Sequence, residues 1–162
     1  MPEAFVSGLE SQTRHKMIDL LNARLADMVA LTLAVKQAHW NLKGAGYIGV
    51  HELLDDVADR LRDSADLMAE RAVILGGHAK GTIEVANAET KIDAYPLEME
   101  EISDHVAALK ERFLKAGELV RSAIEEAADA GDAGTEDLFT EVVRTLDKDA
   151  WFIGSNAPAQ AA

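Results

Sequence analysis

An all-α fold, a four-helix bundle with one long crossover link, is what this sequence predicts. Three observations carry the prediction. Apolar residues recur at three- and four-residue steps in four long stretches. No stretch alternates polar and apolar residues with the period of a strand. The links between neighbouring stretches are short except one, residues 78–95.

The first helix is expected from Ser11 or Thr13, either of which can cap it, to about Leu42. Its stripe is Met17, Leu20, Leu21, Leu25, Met28, Leu31, Val35 and Ala38. Gly44 and Gly46 break the pattern. The second helix runs from about Tyr47 to Leu75 through Ile48, Leu54, Val57, Leu61, Met68 and Ala72, and Gly76–Gly77 end it. The 78–95 link has room for a short helix around Ile83–Ala88. The third helix is placed from Pro96 to about Ala130, because proline suits a first helical turn. After the turn DAGDAG the fourth runs from about Glu136 to Phe152. One domain, 13–154, results, with flexible tails over 1–12 and 155–162.

The tight turn after the first helix makes the first pair antiparallel. The long link then carries the chain along the bundle, so the third helix enters from the far end. One long crossover of this kind is the ferritin-like arrangement.

Composition narrows the function. Cysteine is absent, which excludes disulfides, thiolate zinc sites and thiol catalysis and fits a reducing compartment. The N-terminus has no basic start and no apolar run, and no stretch is long enough to span a bilayer. A cytoplasmic protein without membrane contact is expected. With 29 acidic against 16 basic side chains the formal charge is -13. That surface repels nucleic acid and attracts cations.

The chemistry concentrates in residues 36–71, which hold His39, His51, Asp55, Asp66 and Glu70. Imidazole with carboxylate is a ligand set for divalent transition metals, iron and zinc among them. On a helical wheel, Asp55, Asp66 and Glu70 lie about 40°, 60° and 100° round from His51, so all share one stripe. Along the axis, His51 and Asp66 are about 22 Å apart, whereas a metal–ligand bond is about 2 Å. One straight helix cannot bring both to one ion. Either these are unrelated half-sites, or a second copy runs antiparallel across a two-fold axis. The His end of one subunit then meets the carboxylate end of its partner, twice per dimer. His39 lies across the tight turn from His51 and joins the imidazole end. Asp55 is placed to hold a second, weaker metal. The competing reading is structural: isolated histidines, and an acidic face at Asp66 and Glu70 flanked by Arg62 and Arg71 as ion-pair partners. Glu-x-x-His, which builds a di-iron centre inside one ferritin-like chain, is absent, in agreement with an intersubunit site.

The run HWNLKGAGYIGVHELLDDVADRLRDSADLMAERAVILGG resembles the ferroxidase signature of the Dps family, the mini-ferritins, with further matches at Tyr95–Glu98 and in LDKDAWF. The resemblance spans about residues 14–156. It implies a hollow homododecamer of four-helix bundles with sites at the two-fold interfaces. There Fe(II) would be oxidised, preferentially by hydrogen peroxide, and stored as ferric mineral, which protects DNA from oxidative damage. It implies His39 and His51 as iron ligands from one subunit and Asp66 and Glu70 from the other. Asp55 matches a position associated with the second iron or its bound water, so two irons per site are allowed. Trp40 matches a tryptophan that intercepts one-electron oxidation products; packing as a core aromatic is its other reading. It also implies carboxylates lining three-fold iron-entry pores, with Asp137 the best match.

In one respect the sequence departs from the family's better-known members, which bind DNA through lysine-rich tails. Here Arg14 and Lys16 are offset by Glu3 and Glu10, and SNAPAQAA is uncharged. Weak or absent DNA binding is expected. The alternative is a DNA-compacting nucleoid protein in which iron oxidation is secondary. His15, His78 and His105 are read as structural or surface groups, and Trp151–Phe152 as core or interface packing.

Overall fold

A computed structural model describes residues 2–157. The chain forms α1 (Ser11–Asn41), α2 (Tyr47–Ile74), a short α3 (Ile83–Glu89), α4 (Ile102–Asp129) and α5 (Ala133–Gly154). Among the described residues there is no strand, and no helix is long and apolar enough to cross a membrane. The α1–α2 and α4–α5 hairpins face each other, and α3 lies on α1.

The periodic stripes make the core. On α1, Met17, Leu21, Leu25, Met28, Leu31, Val35 and Ala38 are all buried. They meet Leu54, Leu61 and Met68 of α2, Leu109 and Phe113 of α4, and Phe139 and Leu146 of α5. Each of these side chains larger than alanine contributes about 1.5–3 kcal/mol by leaving water. Ile48, assigned to this stripe from its spacing, is 61% exposed in the first turn of α2. Gly76 ends α2 at φ +91°. A Cβ on Gly77 would stand 2.5 Å from the Ile18 side chain and 3.0 Å from Ala72 O, so close packing, not only the turn, requires glycine there.

The crossover is tied down by buried polar side chains. Asp27, fully buried, accepts Thr90 Oγ1 at 3.0 Å, Lys91 N at 2.7 Å and Arg24 Nε at 2.8 Å. Asn22 donates to His78 O and accepts from Lys80 N. Arg112 holds the Asp93 and Ala94 carbonyls and lies 5.0 Å over the Tyr95 ring. His105, 1% exposed, bridges the Tyr95 hydroxyl and Met99 O. It is a structural group, and His15 and His78 are exposed. Between α2 and α5, Asp149 is buried and pairs through Oδ1 with Arg60, while its Oδ2 has no hydrogen-bond partner among the described residues. Burial pushes that carboxyl above the usual range.

Two helix starts differ from expectation. The helix placed at Pro96 begins at Ile102. The backbone of 100–101 is engaged elsewhere: Lys43 N donates to Glu100 O at 2.7 Å, and Lys43 and Glu101 form an isolated bridge. The last helix begins at Ala133 instead of Glu136, because the buried Asp132 side chain caps it by accepting Thr135 N. Arg71 of α2 locks that cap through Asp132 Oδ1 at 2.8 Å. Of the two terminal segments, 2–10 is non-helical and lies against the end of α2, with Phe5 N donating to Ile74 O at 2.8 Å. Residues 158–162 fall outside the described residues.

Candidate metal centre

The turn between α1 and α2 brings two imidazoles face to face. His39 ends α1; Gly46, at φ +81°, starts α2, which places His51 in its second turn. The Lys43–Glu100 backbone bond and their ion pair at 2.8 Å brace the turn against the run before α4. The rings stack with centroids 3.7 Å apart and planes at 18°.

Their hydrogen bonds are reciprocal. His39 Nδ1 lies 2.8 Å from His51 O, and His51 Nδ1 lies 2.9 Å from His39 O. A carbonyl only accepts, so each Nδ1 carries the proton and donates it. Both Nε2 lone pairs are left free, which is the tautomer a metal-binding histidine needs.

Beside them, Asp55 Oδ1 stands 3.6 Å from His39 Nε2 and is hydrogen-bonded by Lys36 Nζ. That Lys36 bond holds the exposed carboxyl below the usual carboxylate range. Lys36 also sits 5.6 Å over the Trp40 ring. Trp40 is 66% exposed, so its core reading is wrong. Trp151 is likewise 66% exposed and does not pack in the core.

Asp66 and Glu70 are elsewhere on α2, both exposed. Neither has a hydrogen bond or ion pair among the described residues. The two guanidiniums read as their partners are engaged otherwise, Arg62 with Asp59 and Arg71 with Asp132 and Thr135. Asp66 borders an apolar groove lined by Leu25, Val29, Leu33 and Ala69. Among the described residues no three His, Asp or Glu side chains are grouped closely enough within the chain to hold a metal. The imidazole pair and the carboxylate pair are therefore separate groups within the chain. Asp137 is exposed near the start of α5. Lys36, which the sequence motif does not mark, and Tyr47, the aromatic between the glycine turn and His51, each sit one helical turn before a histidine of the pair.

Against known proteins, the model of the ferritin-like domain matches residues 18–157. The DNA protection during starvation protein of Agrobacterium fabrum is 44% identical over 147 residues, covering 91% of each chain. That of Mycolicibacterium smegmatis is 33% identical, over 91% of this chain and 80% of its own. The structure of DpsA14 from Streptomyces coelicolor superimposes with a TM-score of 0.91 at 36% identity, covering 99% of this chain and 96% of that one.

This chain belongs to the Dps family. The Dps fold, with its single long crossover and its short helix in the link, is the arrangement expected from helix spacing. Membership places the chain among iron-storage proteins of the DNA-protecting starvation type.

Proposed function

We propose that this Dps protein is a ferroxidase that oxidises Fe(II) with hydrogen peroxide at sites shared by two subunits and stores the ferric product inside a homododecamer. The observation that carries this reading is the reciprocal imidazole–carbonyl pairing, which leaves Nε2 free on both of the stacked rings. The unpaired Asp66 and Glu70 supply the complementary half about 22 Å along the same helix. A two-fold axis joins the halves: His39 and His51 of one subunit face the partner's Asp66 and Glu70.

Imidazoles retain ferrous iron, and carboxylates favour the harder ferric product. Few ligands leave coordination positions open to the oxidant. Two Fe(II) ions give one electron each to one peroxide, which takes up two protons and leaves as two waters, so no hydroxyl radical forms. Asp55 is the carboxylate for the second Fe(II). Lys36 already neutralises it, so the second ion must displace an ammonium that the first does not meet.

Iron reaches the cage through carboxylate rings to which Asp137 contributes. DNA is protected by removal of iron and peroxide rather than by compaction. Arg14, one of two cations near the N-terminus, donates to Leu75 O instead of standing free for phosphate. The protein works in the cytoplasm.

Anaerobic Fe(II) loading followed by peroxide tests the reading. Wild-type protein gives a rapid ferric absorbance rise, and the His51→Ala, Asp66→Ala double variant loses it. An equal rise in both would refute the proposal.

A further inference from the structure

We propose that Tyr47 is the electron donor that completes peroxide reduction when a site holds one Fe(II) instead of two. The proposal rests on the ferroxidase reading above and adds a residue to it. The phenol ring stacks on His51 with centroids 5.0 Å apart and planes at 28°, and its Oη lies 3.3 Å from His51 Nδ1. That Nδ1 carries its proton and gives it mainly to His39 O at 2.9 Å. Tyr47 Oη is therefore a second acceptor of the same N–H, and the phenol's own proton is directed elsewhere. The residue is 40% exposed in the protomer, so its own bundle does not seal off that proton.

The path from Tyr47 to iron is short. It runs from Oη across one hydrogen bond into the imidazole whose Nε2 binds the ion. No comparable path leaves Trp40, whose indole has no hydrogen bond among the described residues and carries the Lys36 ammonium 5.6 Å above its face. A cation over an aromatic face is attracted to the neutral ring and opposes the positive charge that electron loss would leave on it. The other tyrosine, Tyr95, is bonded to buried His105.

The step balances. One Fe(II) gives one electron and Tyr47 gives another, both to a single peroxide whose O–O bond breaks. Tyr47 releases its hydroxyl proton and becomes the neutral phenoxyl radical. Peroxide takes up two protons, one equivalent to that released by the phenol and one from solvent, and leaves as two waters. No hydroxyl radical escapes.

The test uses the full chain with fewer Fe(II) ions than sites, excess peroxide and rapid freezing. Electron paramagnetic resonance and ferric absorbance are read on the same samples. A tyrosyl signal is expected in wild-type protein, in Trp40→Phe and in Tyr95→Phe, and its loss is expected in Tyr47→Phe, where trapped hydroxyl radical rises in its place. Growth on ring-deuterated tyrosine must narrow the wild-type signal, an assignment that does not depend on how any variant folds. Ferric product with no tyrosyl signal, or a signal that survives Tyr47→Phe, overturns the Tyr47 proposal alone. Absence of ferric product in wild-type protein overturns the ferroxidase reading beneath it.

Discussion

Acidification tests the clasp that holds the crossover. His105 is buried, its Nε2–H donates to Met99 O at 2.9 Å, and its Nδ1 accepts the Tyr95 hydroxyl at 2.8 Å. The fold thus requires the neutral imidazole, and burial pushes its pKa below the ordinary 6.5 against weaker opposing pulls from Met99 O and Asp104. Because the folded pKa is depressed, the unfolded chain takes up the proton first. The stabilisation is present above about pH 6.5 and is lost as pH falls through the folded value. Within that window the slope for one proton is about 1.4 kcal/mol per pH unit. The clasp also bears on the metal half-site: Met99 precedes Glu100, whose carbonyl braces Lys43 in the histidine turn. The measurement is urea unfolding at fixed protein concentration, wild type against His105→Gln, between about pH 8 and about pH 5. Glutamine keeps a donor and an acceptor but does not titrate. Wild-type stability should fall more steeply than the variant's below about pH 6.5. Parallel profiles would refute the reasoning.

Other consequences are as direct. Lys36→Met frees Asp55, so calorimetric titration with Zn(II), which is redox-inert, should show a second ion bound per site more tightly than in wild type; unchanged stoichiometry and affinity would separate Lys36 from the second position. Asp27→Ala strands Arg24, Thr90 and the Lys91 amide, and should cost about 3–5 kcal/mol, as breaking a buried charge pair does; hydrogen exchange at Lys91 should quicken with it. In gel shifts, DNA should be unbound at about 200 mM salt and at most faintly retarded at about 50 mM. Firm binding at the higher salt would contradict the reading of the N-terminal charges.

The long helices were legible because their stripes are nearly uninterrupted: a buried residue every third or fourth position on α1 leaves no other regular structure. Pro96 misled for a physical reason. Proline suits a first helical turn, but here the backbone of Glu100 and Glu101 engages Lys43, 57 positions before Glu100, a partner that no local pattern reveals. Asn22, Asp27 and Arg112 were invisible for a related reason. They interrupt apolar stripes as polar residues, and only the folded crossover supplies their partners. At the candidate centre, spacing argued that His51 and Asp66 cannot share an ion within one chain, and the structure keeps them apart. What spacing could not supply was the tautomer. That comes from two carbonyls aimed at two rings, a property of the turn's backbone rather than of any side chain. Nor could it settle whether Arg62 and Arg71 neutralise Asp66 and Glu70, which the helix α5 cap and Asp59 decide.

Subunit complementation tests the shared site most directly. One variant carries His39→Ala and His51→Ala, the other Asp66→Ala and Glu70→Ala, and each alone should be inactive. In a mixed dimer, one of the two sites joins the intact histidines of one subunit to the intact carboxylates of the other. After random co-assembly about a quarter of wild-type ferroxidase sites should return. Co-assembly verified by mass with no return of activity would contradict a site built between subunits.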